Sequence, residues 1–372
     1  MDYKWKVFRL EKIVPPVLAV GAELKNTICL TKDNQAYLSE PLGDLENYQD
    51  FCHFEKAIVS GLEMLGIEPE LIAYDLHPDY LSTKLAMDFK PELSPVGVQH
   101  HHAHLAACLA DNGTKGPAIG VTFDGTGYGS DDCIWGGEFL VGSETGFQRW
   151  AHLAYLPLPS GSMAIREPWR MGAQYLFQVF GDRMGDLSLK FVEELPDNWS
   201  LLQQATARGI NAPLTSSCGR LFDGVAAVVL PKLGQVAFEA EAAISLERIA
   251  EPEETGKYAV DIGCDPPFQL DWYPLWEGIV ADLEAGLRAG VISARFHNTL
   301  AGMIVEVCLR IRMETAINQV ALTGGVFQNR FLLQKAVEGL NKAGFKVMLH
   351  DRLPPNDSGI ALGQAMIAAA KE

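Results

Sequence analysis

Apolar positions along this chain fall into short strand-like runs separated by turns, then into longer stretches with helical spacing. Val17-Leu18-Ala19-Val20 is a continuous apolar run of the kind buried strands make, Gly21 to Asn26 a turn, and Thr27 to Leu30 a second strand. Asp33-Asn34 turns the chain into a third strand, Gln35 to Ser39. A helical segment over about Tyr48 to Leu65 is closed by Gly66. Leu71 to Leu76 reads as a strand ending at His77-Pro78, followed by a helix around Tyr80 to Asp88 and a short strand, Ser94 to Val98. Residues 1–14 carry no such pattern and are expected to be a leader or linker.

The opening pattern returns after about a hundred residues. Ala118 to Phe123 is a strand, Asp124 to Gly129 a Gly-rich turn, and Cys133 to Gly142 a second strand with a Gly kink; a third follows over Phe147 to Leu156. Two such runs predict a duplicated α/β unit, whose lobes would bring both first turns to one cleft. Coincidence is the rival reading, because hairpins are common. Residues 160–285 read as a mostly helical, less regular insertion that includes Ser217 to Ala227 and an acid-rich helix, Phe238 to Glu247; Val260 to Leu275 reads as strand and turn. A long helix, about Ile292 to Ile317, feeds a strand, Gln319 to Leu322, which breaks at Thr323-Gly324-Gly325 before a helix, Arg330 to Ala343. A last strand, Phe345 to Leu349, leads through a Pro-rich loop to a closing Ala/Gly-rich helix.

Composition narrows the possibilities. A hydrophobic content of 48% with 21% charged residues, over 372 residues, describes a folded chain large enough for two lobes. The net charge of −17 argues against a nucleic-acid partner, yet leaves room for a nucleotide held by backbone N–H groups. No apolar run approaches the ~20 residues of a membrane span, so no membrane partner is expected. Seven scattered cysteines with no C-x-x-C pair suit reduced thiols and the cytoplasm.

Candidate chemistry centres on Gln99-His100-His101-His102-Ala103-His104, at the start of an apolar segment, Leu105 to Ala110, that reads as a helix. His100 and His104, four residues apart, share a helix face and could supply half of a metal site, or could be a polar helix start facing water. His101 and His102 point elsewhere, in a supporting or solvent-facing role. Asp124, at a strand end before Gly125-Thr126-Gly127, could hold a metal or a phosphate-bound cation, or form an Asp-Gly hairpin turn. Gly324-Gly325, between a strand and a helix, has the context for phosphate binding, or is only a tight connection; Asn329 is a ribose or phosphate ligand, or a polar surface residue. Asp357 precedes the last helix, where an N-cap role competes with a metal role. Asp223, inside an apolar run, wants a partner, while Glu239 and Glu241 read as a solvated face.

Several strings taken together resemble one family: Val20-Gly21-Ala22-Glu23-Leu24-Lys25-Asn26-Thr27, Asp75-Leu76-His77-Pro78-Asp79-Tyr80-Leu81-Ser82-Thr83, the histidine cluster, Arg166-Glu167-Pro168-Trp169-Arg170, Leu322 to Asn329, and Asn356-Asp357-Ser358-Gly359. They are similar, in order from about residue 15 to the end, to the C-terminal, TsaD-like part of the HypF family of [NiFe]-hydrogenase maturation factors. That resemblance implies the actin-like, sugar-kinase-like α/β fold, with duplicated ribonuclease-H-like units over 15–116 and 117–372 and a last helix that packs back on the first lobe. It implies a divalent metal, zinc or iron, held by His100, His104, Asp124 and Asp357, and adenylate contacts from Asp223, Glu239, Gly324, Gly325 and Asn329. The implied reaction is transfer of a carbamoyl group from carbamoyl-adenylate to the C-terminal cysteine of HypE, with the Gly-Gly amides stabilising the leaving phosphate. Transfer to a small-molecule hydroxyl and a non-catalytic, nucleotide-binding docking module are the alternatives. Full-length relatives carry an adenylate-forming domain ahead of this part, so a fragment or short form is expected, which receives ATP-derived carbamoyl-adenylate from another domain or protein. Ala240-Glu241 and Ser358 stand where the family pattern has Gly-Gln and Gly.

Overall fold

Two mixed sheets, made largely from the apolar runs, frame the cleft. The computed structural model describes residues 3–90, 92–230 and 235–371. The first sheet contains β1 (Trp5–Arg9), β2 (Val17–Ala19), β3 (Cys29–Lys32), β4 (Gln35–Ser39), β5 (Leu71–Asp75) and β6 (Ser94–Val98). Its order is β1-β4-β3-β2-β5-β6, antiparallel from β1 to β2 and parallel across β2-β5-β6. The second is built on β7 (Ala118–Tyr128), β8 (Ile134–Ser143) and β9 (Gly146–Leu153). It gains β10 (Leu156–Pro157), β11 (Leu214–Thr215), β12 (Asp261–Ile262), β13 (Phe268–Asp271), β14 (Gln319–Thr323) and β15 (Lys346–Met348). Its central path, β9-β8-β7-β14-β15, repeats the order and sense of β4-β3-β2-β5-β6. This is the duplicated ribonuclease-H-like plan of the actin-like α/β fold.

Two expectations are corrected. Trp5–Arg9, placed within a leader or linker, is an edge strand paired in register with Gln35–Ser39. Only Phe8 of this strand is buried, so the segment carries too little apolar alternation to read as a strand. The Gly-rich turn expected at Asp124 to Gly129 is largely a continuation of β7 through a bulge: pairing passes from Phe123↔Gly137 to Gly127↔Trp135. Three residues there oppose the single Gly136, which swings Asp124 out of the ladder without ending the strand.

The helices after the last parallel strand of each sheet are exchanged. His100–Asp111 follows β6, yet it seats Leu105, Cys108 and Leu109 against Ala118, Leu140 and Ala321 of the second sheet. Ile360–Ala370 follows β15 and packs on Val17, Ala19 and Ala73 of the first. So the histidine helix, expected within the first lobe, is shared between both. The two helices cross so closely that a Cβ on Gly363 would lie 1.9 Å from the Ala103 carbonyl oxygen, which excludes any other residue there.

Asn47 caps Tyr48–Leu65 by accepting from the N–H groups of Gln49 and Asp50, and Gly66 ends it in the left-handed conformation. Helices of the insertion, among them Trp169–Phe180, Cys218–Val229 and Tyr273–Glu284, join Ala289–Thr315 over the second sheet in the larger core, around Phe123, Phe139 and Trp276. The acid-rich helix starts at Glu241 rather than Phe238, because Ala240 adopts a left-handed conformation, φ 60°. Among the described residues no helix is long and apolar enough to cross a membrane.

Candidate active site

The histidine helix begins where Gln99 caps it: its Oε1 accepts from the His102 N–H at 2.9 Å, and its Nε2 donates to the Tyr128 carbonyl at 3.0 Å. Held between the two sheets, the first turn has no solvent face, and all four histidines are buried. His102, expected in a supporting or solvent-facing role, donates from Nε2 to the Ser143 carbonyl at 2.6 Å. His101 packs against Trp135, and burial, helped by the neighbouring His100, holds its imidazole well below the ordinary histidine range.

His100, His104, Asp124 and Asp357 come together from three separate parts of the chain, one potential ligand atom of each lying within 4.8 Å of the others. His104 Nε2 is 2.8 Å from Asp124 Oδ2 and 3.5 Å from Asp357 Oδ1. His100 Nε2 stands 3.5 Å from Asp124 Oδ2 and 3.7 Å from Asp357 Oδ1, and has no hydrogen-bond partner. Its other nitrogen, Nδ1, donates to Asp75 Oδ2 at 2.8 Å, which turns Nε2 into the cluster as the atom available to a metal. Burial opposes charge on all four groups. The three carboxylates nonetheless raise His100 well above the ordinary histidine range, and the two imidazoles hold Asp124 well below the carboxylate range.

A buried, orphaned imidazole nitrogen among two carboxylates and a second imidazole fits a divalent cation. A set of two nitrogens and two oxygens without thiolate suits zinc or ferrous iron better than a soft metal.

Asp124 also joins this cluster to a cavity of about 320 Å³. Its Oδ1 accepts from the N–H of Gly125 at 2.7 Å and of Gly325 at 3.1 Å. Asp223, Glu239, Gly325 and Asn329 line the cavity with Arg220, Gly219, Phe222 and Lys25. In the Gly-Gly turn, expected to meet a phosphate, Gly325 gives its N–H to Asp124 and lines the cavity, while Gly324 gives its own to the Pro355 carbonyl at 2.8 Å. Asn329 is similarly engaged. Its Oδ1 caps Arg330–Lys342 through the Leu332 N–H, and its Nδ2 donates to His297 Nε2 at 2.9 Å.

Three contributors were not among the sequence candidates. Asp75 ends β5 at the point where the histidine helix passes, and only the parallel pairing of β5 with β6 reveals that proximity. Arg220 is the partner that Asp223 required, one turn earlier on the same helix, its Nε 2.8 Å from Asp223 Oδ2; the i,i+3 spacing was the available signal. Burial still pushes the Asp223 carboxyl up, with Arg220 opposing. Lys25, on the β2–β3 loop, reaches across the cleft to pair with Glu239.

The bilobal α/β frame is that of the actin-like fold, here with a His/Asp cluster beside a ligand-sized cavity. Residues 120–364 match the family model described as Carbamoyltransferase, Kae1-like Domain, second subdomain, and residues 12–111 match the HypF Kae1-like domain. The chain therefore belongs to the HypF family of carbamoyltransferases. It is 38% identical over 367 residues to Carbamoyltransferase HypF of Synechocystis sp., covering 94% of this chain and 46% of that protein. With a Carbamoyltransferase HypF homolog of Cupriavidus necator it shares 36% identity, across 95% of this chain and 91% of the homologue. Among solved structures, full-length HypF in a phosphate- and nucleotide-bound form superposes with a TM-score of 0.92 at 37% identity, over 98% of this chain and 57% of that one. HypF of T. kodakarensis gives 0.86 at 29% identity, over 98% and 48%. The chain spans about half the length of most curated relatives it matches.

Proposed function

We propose that this chain carries out the carbamoyl-transfer half of HypF chemistry: it accepts carbamoyl-adenylate and passes the carbamoyl group to the C-terminal cysteine of HypE, in the cytoplasm, toward the cyanide ligands of [NiFe]-hydrogenase. The observation that carries this reading is Asp124, which belongs at once to the four-residue cluster and to the cavity lining. A ligand in the cavity would therefore lie against the cluster. The nucleotide bound by the similar full-length HypF supports an adenylate as that ligand.

His100, His104, Asp124 and Asp357 would hold the divalent ion, which supplies Lewis-acid polarisation of a carbonyl or phosphate oxygen when bound. Asp75 fixes the His100 tautomer, and Gly125 and Gly325 hold the Asp124 carboxylate through its Oδ1. Asp223 and Glu239 are the acidic groups placed to meet a ribose. In the transfer, the acceptor thiolate attacks the carbamoyl carbon, a C–S bond forms, and the C–O bond to the adenylate phosphate breaks so that AMP leaves with the electron pair. The thiol's proton goes to solvent. The attacking sulfur belongs to the partner. The buried thiols Cys29, Cys108, Cys218 and Cys308, which burial pushes far up, are unsuited to that task.

The test supplies labelled carbamoyl-adenylate and a HypE tail peptide. The intact chain should transfer label to the peptide cysteine, and His104→Ala should lose transfer together with bound metal. Metal-replete protein that binds nucleotide but transfers nothing would leave only a docking role.

A further inference from the structure

Every residue lining the cavity belongs to the second lobe's part of the chain except one. Among the described residues, Lys25 is the first lobe's sole contribution. Its backbone is left-handed, φ 49°, on a loop that is otherwise firmly held. The buried Asn26 next to it donates from Nδ2 to the carbonyls of Val20 and Ala22, at 2.8 and 2.6 Å, and its own carbonyl accepts from the Leu42 N–H at 2.7 Å. Glu23 Oε2 accepts from the Leu81 N–H at 2.7 Å. The lysine's Cα is thus fixed at the cleft, and its side chain, about one-third exposed, extends along the cavity to Glu239.

Two donors at this cavity are engaged within the protein: Gly325 donates to Asp124 and Asn329 binds His297. Arg220, on the second lobe's side, has its Nε beside Asp223. Lys25 is paired too, but its partner Glu239 has a side chain 60% exposed, and water can take over solvation of that carboxylate. An exposed ion pair of this kind is weak, whereas an ammonium–phosphate contact in a partly enclosed cleft is charge-assisted on both sides.

We propose that Lys25 is a cross-cleft phosphate contact: when a nucleoside monophosphate or its acyl derivative enters, the ammonium leaves Glu239 for the phosphate and ties the first lobe to the ligand. The proposal rests on the nucleotide reading above. It adds a residue whose role is specific to the phosphate and independent of the base and ribose.

The test is calorimetric titration of the metal-replete, full chain with AMP and with adenosine. Lys25→Met should weaken AMP binding by about 10- to 100-fold, the span of a hydrogen bond to a charged group, and leave adenosine binding unchanged. Lys25→Arg should stay within a few fold of the parent for both ligands. A latch that merely closed the lobes would weaken both ligands alike. Equal losses for AMP and adenosine, or no loss in either, would overturn the phosphate role while the nucleotide reading stood. If the parent chain bound neither ligand, the nucleotide reading and this proposal would fall together.

Discussion

The two lobes repeat one strand order but place opposite charges on the cleft. After β2, the first lobe offers Lys25 on a short loop; after the matching half of β7, the second offers Asp124 on a bulge. The means of support differ as well. A neutral amide, Asn26, pins the first loop. Around the second, buried Glu138 accepts from the N–H groups of Gly136 and Gly137 at 3.2 and 3.3 Å and from Ser216 Oγ at 2.5 Å, and pairs with Arg149 Nε at 2.6 Å. Ser217 Oγ then donates to the Asp124 carbonyl at 3.1 Å. The next matching strands both end at the histidine helix: β5 in Asp75 beside His100, β14 in Thr323, whose Oγ1 donates to the His104 carbonyl at 3.4 Å. Duplication supplies the frame, and the cleft's chemistry comes from what each copy carries at equivalent places.

The largest expected effect tests the charged support. Glu138→Ala strands Arg149 without its buried partner and should cost about 3–5 kcal/mol in denaturant unfolding. A loss as small as that of a surface pair would show that the bulge holds itself. Asp124→Ala removes a candidate metal ligand and should lower metal affinity by more than about 100-fold, beyond what loss of an outer supporting group produces. Elemental analysis after dialysis against graded chelator measures this.

One source of acid sensitivity lies in the second lobe. His297 donates from Nδ1 to the Ser293 carbonyl at 2.7 Å, and burial lowers its pKa to about 4. The unfolded chain takes up that proton near pH 6.5, so stability is full above that value and falls as the pH drops toward 4. Between pH 7 and 4.5 this one group should remove about 2 kcal/mol, and His297→Gln should flatten that part of the profile. Asp75→Asn should reduce metal affinity by about 10- to 100-fold with unfolding little changed, separating orientation of His100 from folding of the first sheet. Asn26→Ala should cost only about 1–2 kcal/mol, for its two lost hydrogen bonds. A value equal to that of Glu138→Ala would erase the contrast between the two supports.

Local pattern determined a good deal by itself. Strands such as Gln35–Ser39 and Ser94–Val98, and the helix Tyr48–Leu65 with its Gly66 end, are legible because apolar spacing and capping residues act within a few positions of one another. The repeat of strand order and the i,i+4 pair His100 and His104 are legible for the same reason. Edge strand Trp5–Arg9 was not, because hydrogen bonds to β4 hold it and only one side chain enters the core. Tertiary structure alone decided which expected ligands meet. It exchanged the two helices between lobes, brought Asp357 to the histidines from the far end of the chain, and set Asp75 behind His100. It also engaged the Gly324 and Gly325 amides within the protein and sent Lys25 across to Glu239. Side-chain periodicity reports which face of an element is buried; which partner it meets depends on chain crossings hundreds of residues apart.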